Sequence, residues 1–488
     1  MGRNKPSPLP PSPHPLELSP TIMRSMLQRA TEYIIEHIGT LAEQPMHATK
    51  GGRKLARRLA APMPEQAVPF EKLLHTLFRE VIPASLNTAS PGYLAYIPGG
   101  GIFHSAIADL IADATNRYVG AWIAAPALVQ LEENVIQWFA SMLEMPASAG
   151  GILLTGGSLA NLVAIITARR DRLPPDFMGG TMYTSEETHH SVLKAALLAG
   201  ILPQHVRAIP TDDRYRMRPE LLFEAIWQDR KAGLLPFLVV ANAGTTNTGA
   251  VDELHRIADI AAGDDLWLHV DAAYGGFFAL TERGQKALSG IFHADSVTLD
   301  PHKGLFLPYG TGCLIVRERD SLRRAHAIPA AYMPPMQQDE GLVDFCELGP
   351  ELSRDARGLR VWFPLSMHGV GVFRDALDEK LDLAQYAANE LRKMPEIEIV
   401  AEPVLSLFAF RARFPELSSE DEDAKNRRLI SLVNQKQRVL LTGTVTKGRF
   451  IIRMCILSFR THADRIDMAL EDIRTSLREL QQGIEPSL

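Results

Sequence analysis

The sequence predicts an α/β protein in which helices cover both faces of a mainly parallel central sheet. Two observations support this prediction. From about residue 91 to 370, short apolar segments rich in β-branched residues alternate with stretches of helical periodicity, a pattern typical of parallel sheets. The chain also has 488 residues, whereas one hydrophobic core usually organises no more than roughly 250 to 300. We therefore expect further structural units on either side of the sheet domain.

The first 90 residues divide into an arm and a helical segment. Residues 1–20, "MGRNKPSPLPPSPHPLELSP", are rich in proline. They predict a mobile arm, because such a composition buries too little apolar surface to offset the entropy lost on ordering. Residues 21–90 contain "TIMRSMLQRATEYIIEHIGTLAEQ" and "PFEKLLHTLFREVIPASL", both with apolar residues at helical spacing. They predict a helical segment.

Residues 91–370 predict the large domain. Its strands are predicted at "GILLT", "TMYTS", "LLPFLVVANAG", "LWLHVDAAYGG" and "DSVTLD", separated by helical stretches such as "SLANLVAIITARRDRL". Residues 371–488 combine two long helical stretches with the strand-like segments "LSLFAFRAR" and "RFIIRMCIL", which predicts a small α+β domain. Ligands of open parallel sheets bind beyond the carboxyl ends of the strands, so functional residues are expected there.

Composition argues against several classes of partner. The 51 basic and 57 acidic residues give a net charge of -6, which provides no general attraction for nucleic acid or anionic membranes. The basic stretch at residues 50–58, "KGGRKLARR", is interpreted as a solvated face or linker because no second basic patch accompanies it. No apolar run approaches the roughly 18 residues that span a bilayer, and the amino terminus lacks the apolar core of a signal peptide.

The three cysteines, Cys313, Cys346 and Cys455, are widely spaced. This spacing predicts neither a disulfide framework nor a zinc site. Together with the charge balance, it indicates a soluble cytoplasmic protein that binds neither nucleic acid nor membrane, and no metal site is expected.

The segment "LLTGGSLAN", residues 153–161, ends a predicted strand and begins a predicted helix. Backbone N–H groups at a helix amino terminus, glycines that permit close approach and a serine hydroxyl together suit a bound anion. The segment matches neither the GxxxxGK[ST] nor the GxGxxG pattern. Taken alone, it is better interpreted as an ordinary helix cap.

Other strand ends also carry polar residues. Asp271 is followed by two alanines, which leave space for a flat ring, and its carboxylate suits a metal ion, a helix cap or a cationic ring nitrogen. Lys303 follows the next strand in "DPHKG", where an apolar cleft is expected to lower the pKa of its amine and favour a Schiff base. His189 and His190 follow "TMYTS".

An anion cradle, a ring-nitrogen carboxylate, a stacking histidine and a Schiff-base lysine are the parts needed to hold pyridoxal 5'-phosphate.

Eight segments of the chain resemble those of the group II pyridoxal-phosphate-dependent amino acid decarboxylases, and are most like the aromatic L-amino acid decarboxylases. They are "HVDAAYGG", "DPHKG", "TGGSLAN", "HHSV", "SPGYLAYIPGGG", "AAPALVQLEENVIQW", "RDARGLRVWF" and "RFIIRMCILSFRT", in matching order over roughly residues 65 to 475. The resemblance implies the fold-type I, aminotransferase-like architecture of pyridoxal enzymes. It also implies a homodimer in which residues 21–90 contribute to dimerisation and the active sites lie at the interface.

The resemblance assigns a role to each matching residue. Lys303 would form the internal aldimine, Asp271 would pair with the pyridine nitrogen, and His189 would stack on the cofactor ring. The other implied cofactor contacts are Ala273 on the opposite ring face, Gly157 and Ser158 at the phosphate, His302 near that end of the site, and Thr246 near the ring.

One position departs from the family pattern. The resemblance implies a neutral hydrogen-bonding residue two positions before His302, facing the phosphate, whereas this chain has Asp300. Because a carboxylate repels a phosphate, we expect Asp300 to turn toward a backbone or basic partner.

The segment 326–349, "HAIPAAYMPPMQQDEGLVDFCELG", is long and rich in proline, glycine and small residues, a composition typical of a lid. The resemblance implies that Tyr332 in this segment protonates the quinonoid formed after decarboxylation, so that an L-amino acid yields an amine and carbon dioxide. Relatives with phenylalanine at that position carry out oxidative deamination to an aldehyde. Tyr332 therefore favours simple decarboxylation.

The substrate pocket implied by the resemblance is built partly from "GYLAYIPGGGIF". An apolar and aromatic wall suits a ring-bearing side chain and provides no evident arginine for a second carboxylate. Aromatic amino acids are therefore favoured over glutamate. The implied substrate-binding residues are Tyr96, Ile97, Pro98, Phe103, Trp122 and Arg453.

Other functions would leave these motifs unchanged. The same fold could act on glutamate, diaminobutyrate or histidine, or serve as an aldehyde synthase or aminotransferase. A catalytically silent scaffold would also retain the fold, although the presence of Lys303, Asp271 and Tyr332 argues against it. A nucleotide-binding protein that uses "TGGSLAN" is disfavoured because the motif lacks the lysine of a phosphate loop.

Overall fold

A computed structural model describes residues 14, 16–47, 51–328, 331, 336 and 342–482. These residues belong to two compact units, residues 1–90 and 91–488. Most of the predicted proline-rich arm and Tyr332 lie outside the described residues. No helix in the described part of the chain is both long and apolar enough to cross a membrane.

The first unit is helical. Ser19 caps its first helix, because its hydroxyl oxygen accepts a hydrogen bond from the backbone N–H of Ile22 at 3.3 Å. Arg29 in this helix donates to Glu71 at 2.8 Å, which ties the first helix to the third. The helices are α1 (Pro20–Gly39), α2 (Gly52–Leu59) and α3 (Phe70–Thr76), and a single π turn, Leu77–Val81, follows α3.

A seven-stranded sheet forms the centre of the second unit. Most of its strands are short and buried on both faces, as expected for a sheet covered by helices, whereas the edge strand Val206–Ile209 is partly exposed. In spatial order the strands are β1 (Gly150–Leu154), β7 (Gly312–Val316), β6 (Ser296–Leu299), β5 (Trp267–Asp271), β4 (Leu235–Asn242), β2 (Gly180–Ser185) and β3 (Val206–Ile209).

The pairing of these strands is parallel except at β7, which runs antiparallel to both β1 and β6. The predicted α/β class with a mainly parallel central sheet is confirmed. The sequence does not predict that the seventh strand inserts between the first and the sixth. Because β7 runs in the opposite direction, its amino-terminal end lies at the same edge as the carboxyl ends of the other strands.

Twelve helices in the described part of the second unit surround its sheets. They are α4 (Phe103–Thr115), α5 (Pro126–Met142), α6 (Gly157–Arg172), α7 (His190–Leu198), α8 (Pro219–Lys231), α9 (Leu254–Gly263), α10 (Glu282–Ala287), α11 (Pro301–Gly304), α12 (Arg319–His326), α13 (Leu359–Arg392), α14 (Ser419–Gln435) and α15 (Ala463–Gln481).

A second, antiparallel sheet lies near the carboxyl terminus. Its strands, in spatial order, are β10 (Thr442–Thr446), β11 (Arg449–Cys455), β9 (Leu407–Ala412) and β8 (Ile397–Ala401). Helices α14 and α15 and the carboxyl-terminal half of α13 pack on it in one apolar core. Helix α13 also contributes Val361, Leu365 and Phe373 to the core of the large sheet. The predicted domain boundary at residue 370 lies next to Gly369, where non-helical backbone breaks the span Leu359–Arg392.

Candidate active site

A cavity of about 370 Å³ opens at the carboxyl ends of the parallel strands. Ligands of open α/β sheets bind in this position. All eight residues for which the sequence predicts cofactor contacts line the cavity, and each follows a strand end or begins the next helix. They are Gly157, Ser158, His189, Thr246, Asp271, Ala273, His302 and Lys303.

The amino end of α6 provides backbone donors to this cavity. The first residues to hydrogen-bond within the helix are Leu159 and Ala160, which both donate to the carbonyl of Gly156 at 3.1 Å. The N–H groups of Gly157 and Ser158 make no hydrogen bond among the described residues. We call residues 155–158 the cradle. A helix amino terminus with two unbonded N–H groups is suited to an anion such as a phosphate.

The glycines of the cradle permit close packing. Gly156 has φ 154°. A Cβ atom on Gly312 of the neighbouring strand would lie 2.4 Å from the Cα of Gly156. Neither position tolerates a side chain without rearrangement. Close approach of β7 to the cradle therefore requires Gly312.

Lys303 lies on the single turn α11, directly after β6. Its Nζ is 2.7 Å from Oδ2 of Asp300, and 22% of its side chain is exposed. Burial lowers the pKa of the amine, but the charge and hydrogen bond of Asp300 outweigh burial and raise that pKa above 10.5. The expectation of a lowered pKa is therefore wrong for this state, because the carboxylate of Asp300 lies one turn earlier and contacts the amine.

Asp300 faces both Lys303 and the cradle. It contacts a basic partner, as expected, but it does not turn away from the anion site. Its Oδ2 and Oδ1 lie 3.1 Å and 3.4 Å from the position that a Cβ would occupy on Gly157.

Asp271 is held by donors from two different elements. Its Oδ1 accepts the backbone N–H of Ala273 at 3.1 Å, and its Oδ2 accepts Nδ2 of Asn161 at 3.1 Å. Asn161 lies on α6, so the carboxylate at the end of β5 is fixed by the helix that begins at the cradle. These bonds stabilise the ionised carboxylate, which suits it to pair with a cationic ring nitrogen.

Asn161 also connects Asp271 with His189. Its Nδ2 lies 3.1 Å from Oγ of Ser191, which in turn lies 2.8 Å from Nδ1 of His189. The backbone N–H of Ser191 donates to the same Nδ1 at 3.4 Å, so the neutral His189 ring carries its proton on Nε2. Burial lowers the pKa of His189 below 6.5, although Asp271 opposes this shift. A neutral, oriented imidazole is suited to stack on a flat ring.

A buried histidine, His269, also contacts Asn161. His269 on β5 is fully buried, its Nε2 lies 3.1 Å from Oδ1 of Asn161, and its Nδ1 lies 2.8 Å from Oγ of Ser296. Thr298 donates to the same Asn161 oxygen at 2.8 Å. Burial lowers the pKa of His269 to about 4, so this network is uncharged apart from Asp271.

His302 packs against the cradle. A Cβ on Gly156 would lie 3.5 Å from its Cε1, and its Nδ1 donates to the carbonyl of Thr311 at 2.6 Å. Burial lowers the pKa of His302, with Asp300 opposing the shift. The neutral ring therefore directs an unprotonated Nε2 toward Asp300, 3.6 Å away.

Arg453 does not line the cavity. It is 4% exposed, and its guanidinium donates to the carbonyls of Asn247 at 3.0 Å and Tyr96 at 3.2 Å, to Thr442 at 3.1 Å, and to the carbonyl of Thr246. In this arrangement Arg453 holds the Thr246 loop, and its donors are engaged by the protein itself.

The other residues predicted to bind substrate also lie outside the cavity of the single chain. Ile97 and Pro98 are buried, Tyr96 and Phe103 are exposed, and the backbone N–H of Trp122 donates to Asp344 at 2.6 Å. Their roles in substrate binding stay a prediction.

Sequence reasoning did not identify several residues that line the cavity. Asn242 ends β4, and Tyr274 follows Asp271 at the end of β5. Their location at strand ends could have identified both as cavity residues. Asn161 and Ser191 occur in the motifs "TGGSLAN" and "HHSV", but only the fold shows that they meet. The cavity residues that were not predicted include Asn161, Ser191, Asn242, Thr245, Tyr274 and Tyr309.

The residues present fit pyridoxal phosphate. A lysine amine, a fixed carboxylate, a neutral histidine and an anion cradle surround one cavity large enough for a small ring. The unbonded N–H groups of the cradle are the feature that a phosphate would satisfy.

Comparison with known proteins agrees with this geometry. The family model "Pyridoxal-dependent decarboxylase conserved domain" matches residues 53–413. The chain is 36% identical to the aromatic-L-amino-acid decarboxylase of Bacillus atrophaeus, over 95% of this chain and 97% of that protein. It is 28% identical to the phenylacetaldehyde synthase of Petunia hybrida, over 94% of each.

A solved structure shares the whole architecture. The crystal structure of Oryza sativa TDC with PLP and tryptamine superposes with a TM-score of 0.90 at 29% identity, covering 96% of this chain and 99% of that one. The predicted resemblance and the predicted cofactor, pyridoxal phosphate, are confirmed. This chain belongs to the family of pyridoxal-dependent decarboxylases.

Proposed function

We propose that this protein decarboxylates aromatic L-amino acids to the corresponding amines and carbon dioxide. The observation that carries this proposal is the convergence of Lys303, Asp271 and His189 in one cavity at the strand ends. When bound, pyridoxal phosphate supplies an electron sink for the electron pair that remains when carbon dioxide leaves. The protein must hold the cofactor, orient the substrate and deliver a proton.

Each cavity residue has a distinct task in this proposal. Lys303 provides the amine that attaches the cofactor. Asp271 keeps the cofactor ring nitrogen protonated, because a nearby carboxylate favours the cationic form. His189 packs against the ring, and the N–H groups of Gly157 and Ser158 receive the phosphate.

The preference for an aromatic substrate rests on charge and similarity. Among the described residues that line the cavity, Lys303 is the only lysine or arginine, so no cation remains there for a second substrate carboxylate. The similarity to an aromatic-L-amino-acid decarboxylase points to the same substrate class.

Product analysis tests this proposal. The purified protein with pyridoxal phosphate is incubated with L-tryptophan, L-tyrosine, L-DOPA and L-glutamate, and carbon dioxide and amine are quantified. Equimolar amine and carbon dioxide from an aromatic substrate is the expected result, and exclusive turnover of glutamate would contradict it. Lys303→Ala should lose both turnover and the visible absorption of bound cofactor, whereas the exposed Lys286→Ala should retain both.

Aldehyde formation is the second candidate, because the chain is similar to a phenylacetaldehyde synthase. We assign the proton that completes amine formation to Tyr332. Tyr332→Phe is expected to lower amine yield and to increase aldehyde, ammonia and peroxide. The carbon that lost carbon dioxide no longer has a proton donor, so it is oxidised by dissolved dioxygen, which is reduced to peroxide, and water releases the ammonia. The exposed Tyr386→Phe serves as control. Aldehyde as the main product of the unaltered protein would establish the second candidate instead.

We further propose that the active protein is a homodimer. Helix α1 contains no buried residue, and it exposes Ile22, Met23, Leu27 and Ile35. Exposed apolar side chains at this density favour association with another surface. Light scattering should give twice the mass of the 53.9 kDa chain. Ile35→Asp should shift the equilibrium toward monomer, whereas Ser25→Asp, on a different face of the same helix from Leu27 and Ile35, should not.

The expected cytoplasmic location belongs to this proposal as well. The three cysteines are unpaired thiols, which suits a reducing compartment. Fractionation of cells that express the protein would test the location, and recovery in an extracellular fraction would contradict it.

A further inference from the structure

Asp300 places a negative charge where the proposed function requires an anion to bind. The residue directly follows β6 and is 2% exposed. Both of its carboxylate oxygens lie against Gly157, the first residue of α6, at 3.1 Å and 3.4 Å from the position of a Cβ atom. Because Gly157 belongs to the cradle, a bound phosphate and an ionised Asp300 would bring like charges together.

The carboxylate has an incomplete set of hydrogen-bond partners. Its Oδ2 accepts from Nζ of Lys303 at 2.7 Å, but its buried Oδ1 has no hydrogen-bond partner among the residues that the structure describes. His302 does not supply the missing proton, because its Nδ1 donates to Thr311 and its Nε2 lies 3.6 Å from Oδ2. A buried carboxylate with an unsatisfied oxygen is costly while it is ionised and is suited to accept a proton.

On the basis of the proposed function, we propose that Asp300 takes up a proton when a phosphate enters the cradle and stays a neutral carboxylic acid while the phosphate is bound. One O–H bond forms, the proton comes from solvent, and no other bond changes. The neutral acid can donate a hydrogen bond where the carboxylate would repel. Asp300 thus acts as a positioning residue for the phosphate.

Neighbouring groups do not reproduce this effect above pH 7. Burial lowers the pKa values of His189 and His302 below 6.5 and raises that of Cys313 well above 9. A phosphate monoester has its second pKa near about 6, so it is already a dianion. The charged or titratable groups around Asp300 are Lys303 and His302 on α11, His189 before α7, Asp271 at the end of β5 and Cys313 in β7.

Infrared difference spectroscopy tests the proposal directly. The probe is pyridoxine 5'-phosphate, which carries the phosphate but has an alcohol in place of the aldehyde, so it cannot bond to Lys303. Addition of the probe to the full-length protein without cofactor should produce a carboxylic acid carbonyl band that shifts when the protein contains carbon-13 aspartate. Binding without such a band would overturn the proposal. This measurement uses only the unaltered protein.

Affinity against pH provides a second measurement. Between pH 7 and 9 the Kd of the probe should rise about tenfold more per pH unit in the unaltered protein than in Asp300→Asn, as expected for uptake of one additional proton. Titration of the probe's own ring contributes equally to both proteins, and Asp300→Asn should bind the probe more tightly at pH 9. Asp295→Asn, at the opposite end of β6, should behave like the unaltered protein.

These outcomes separate the inference from the function on which it rests. The same pH dependence of Kd in both proteins, or weaker binding by Asp300→Asn at pH 9, would overturn the role of Asp300 while leaving the phosphate site intact. Failure of the probe to bind either protein would contradict the phosphate site itself, and the inference with it.

Discussion

Asn161 is the residue that joins the two sides of the candidate site. Its amide donates to Asp271 and lies within hydrogen-bond distance of Ser191, the partner of His189. Its carbonyl oxygen accepts from Thr298. A single buried side chain therefore orients both the carboxylate assigned to the cofactor nitrogen and the histidine assigned to the ring.

Asn161→Ala should weaken cofactor binding by about tenfold or more. A hydrogen bond to a charged group contributes about 1.5–3 kcal/mol, and about 1.4 kcal/mol corresponds to tenfold in affinity. The Kd of pyridoxal phosphate, measured by fluorescence quenching, tests this expectation.

A matched control separates this effect from general loss of stability. Asn426 is fully buried in the small domain and bonds only to the local backbone of Ala412 and Glu422. Asn426→Ala should lower the melting temperature without changing the Kd of the cofactor. Equal Kd values for both variants would argue against the role of Asn161.

The types of residue at the site could be predicted from sequence, but their partners could not. Lys303, Asp271 and His189 are identifiable because each follows an apolar strand, and strand ends converge in a parallel sheet. The pKa of Lys303 was predicted in the wrong direction, because the sign depends on the 2.7 Å contact with Asp300. Distances of this kind arise from the turn of α11, which a pattern of apolar residues does not specify.

At the scale of elements, helix α13 contains a local break. Gly369 has φ 72° and ψ 156° inside the span Leu359–Arg392, a conformation open almost only to glycine. Gly371 follows two residues later with regular helical geometry. A Cβ atom would meet nothing within 4 Å at either position, so backbone conformation alone distinguishes them.

Alanine substitutions at these two glycines should have opposite effects. Gly369→Ala should destabilise the protein by about 1–3 kcal/mol, because alanine is strained at this backbone conformation. Gly371→Ala should stabilise it by about 0.5–1 kcal/mol, because alanine loses less conformational entropy in a helix. Denaturant unfolding of each variant measures both changes. A shift of the same sign in both would show that the break at Gly369 is absent in solution.

The alternation of strands and helices was sufficient to predict the class of the large domain. It was insufficient to predict that β7 is antiparallel, because an apolar strand has the same pattern in either direction. It also placed a domain boundary at residue 370, next to the break at Gly369, although Phe373 beyond the break still belongs to the core of the large sheet. The glycines in "MHGVGV" mark this break, since glycine inside a helical pattern lowers the expectation of helix.

At the scale of the whole molecule, neutral buried histidines couple stability to pH. Burial lowers the pKa values of His269 and His326 from 6.5 to about 4. His269 is enclosed beneath the cavity, and His326 at the end of α12 lies 3.0 Å from Oγ1 of Thr167. His269 is fully buried and His326 is partly buried, so burial limits the hydration that a charged imidazolium requires.

Stability should therefore fall as the pH decreases from about 6.5 to about 4. In this interval the unfolded chain binds protons at these rings while the folded protein keeps them neutral, so protonation favours unfolding. Each such histidine contributes up to about 1.4 kcal/mol per pH unit. The melting temperature of the holoenzyme should decline across this range, and His326→Gln, which retains a polar partner for Thr167, should decline less steeply. The exposed His75→Gln should follow the unaltered protein, and a slope unchanged by His326→Gln would show that this ring is already charged or solvated in the folded state.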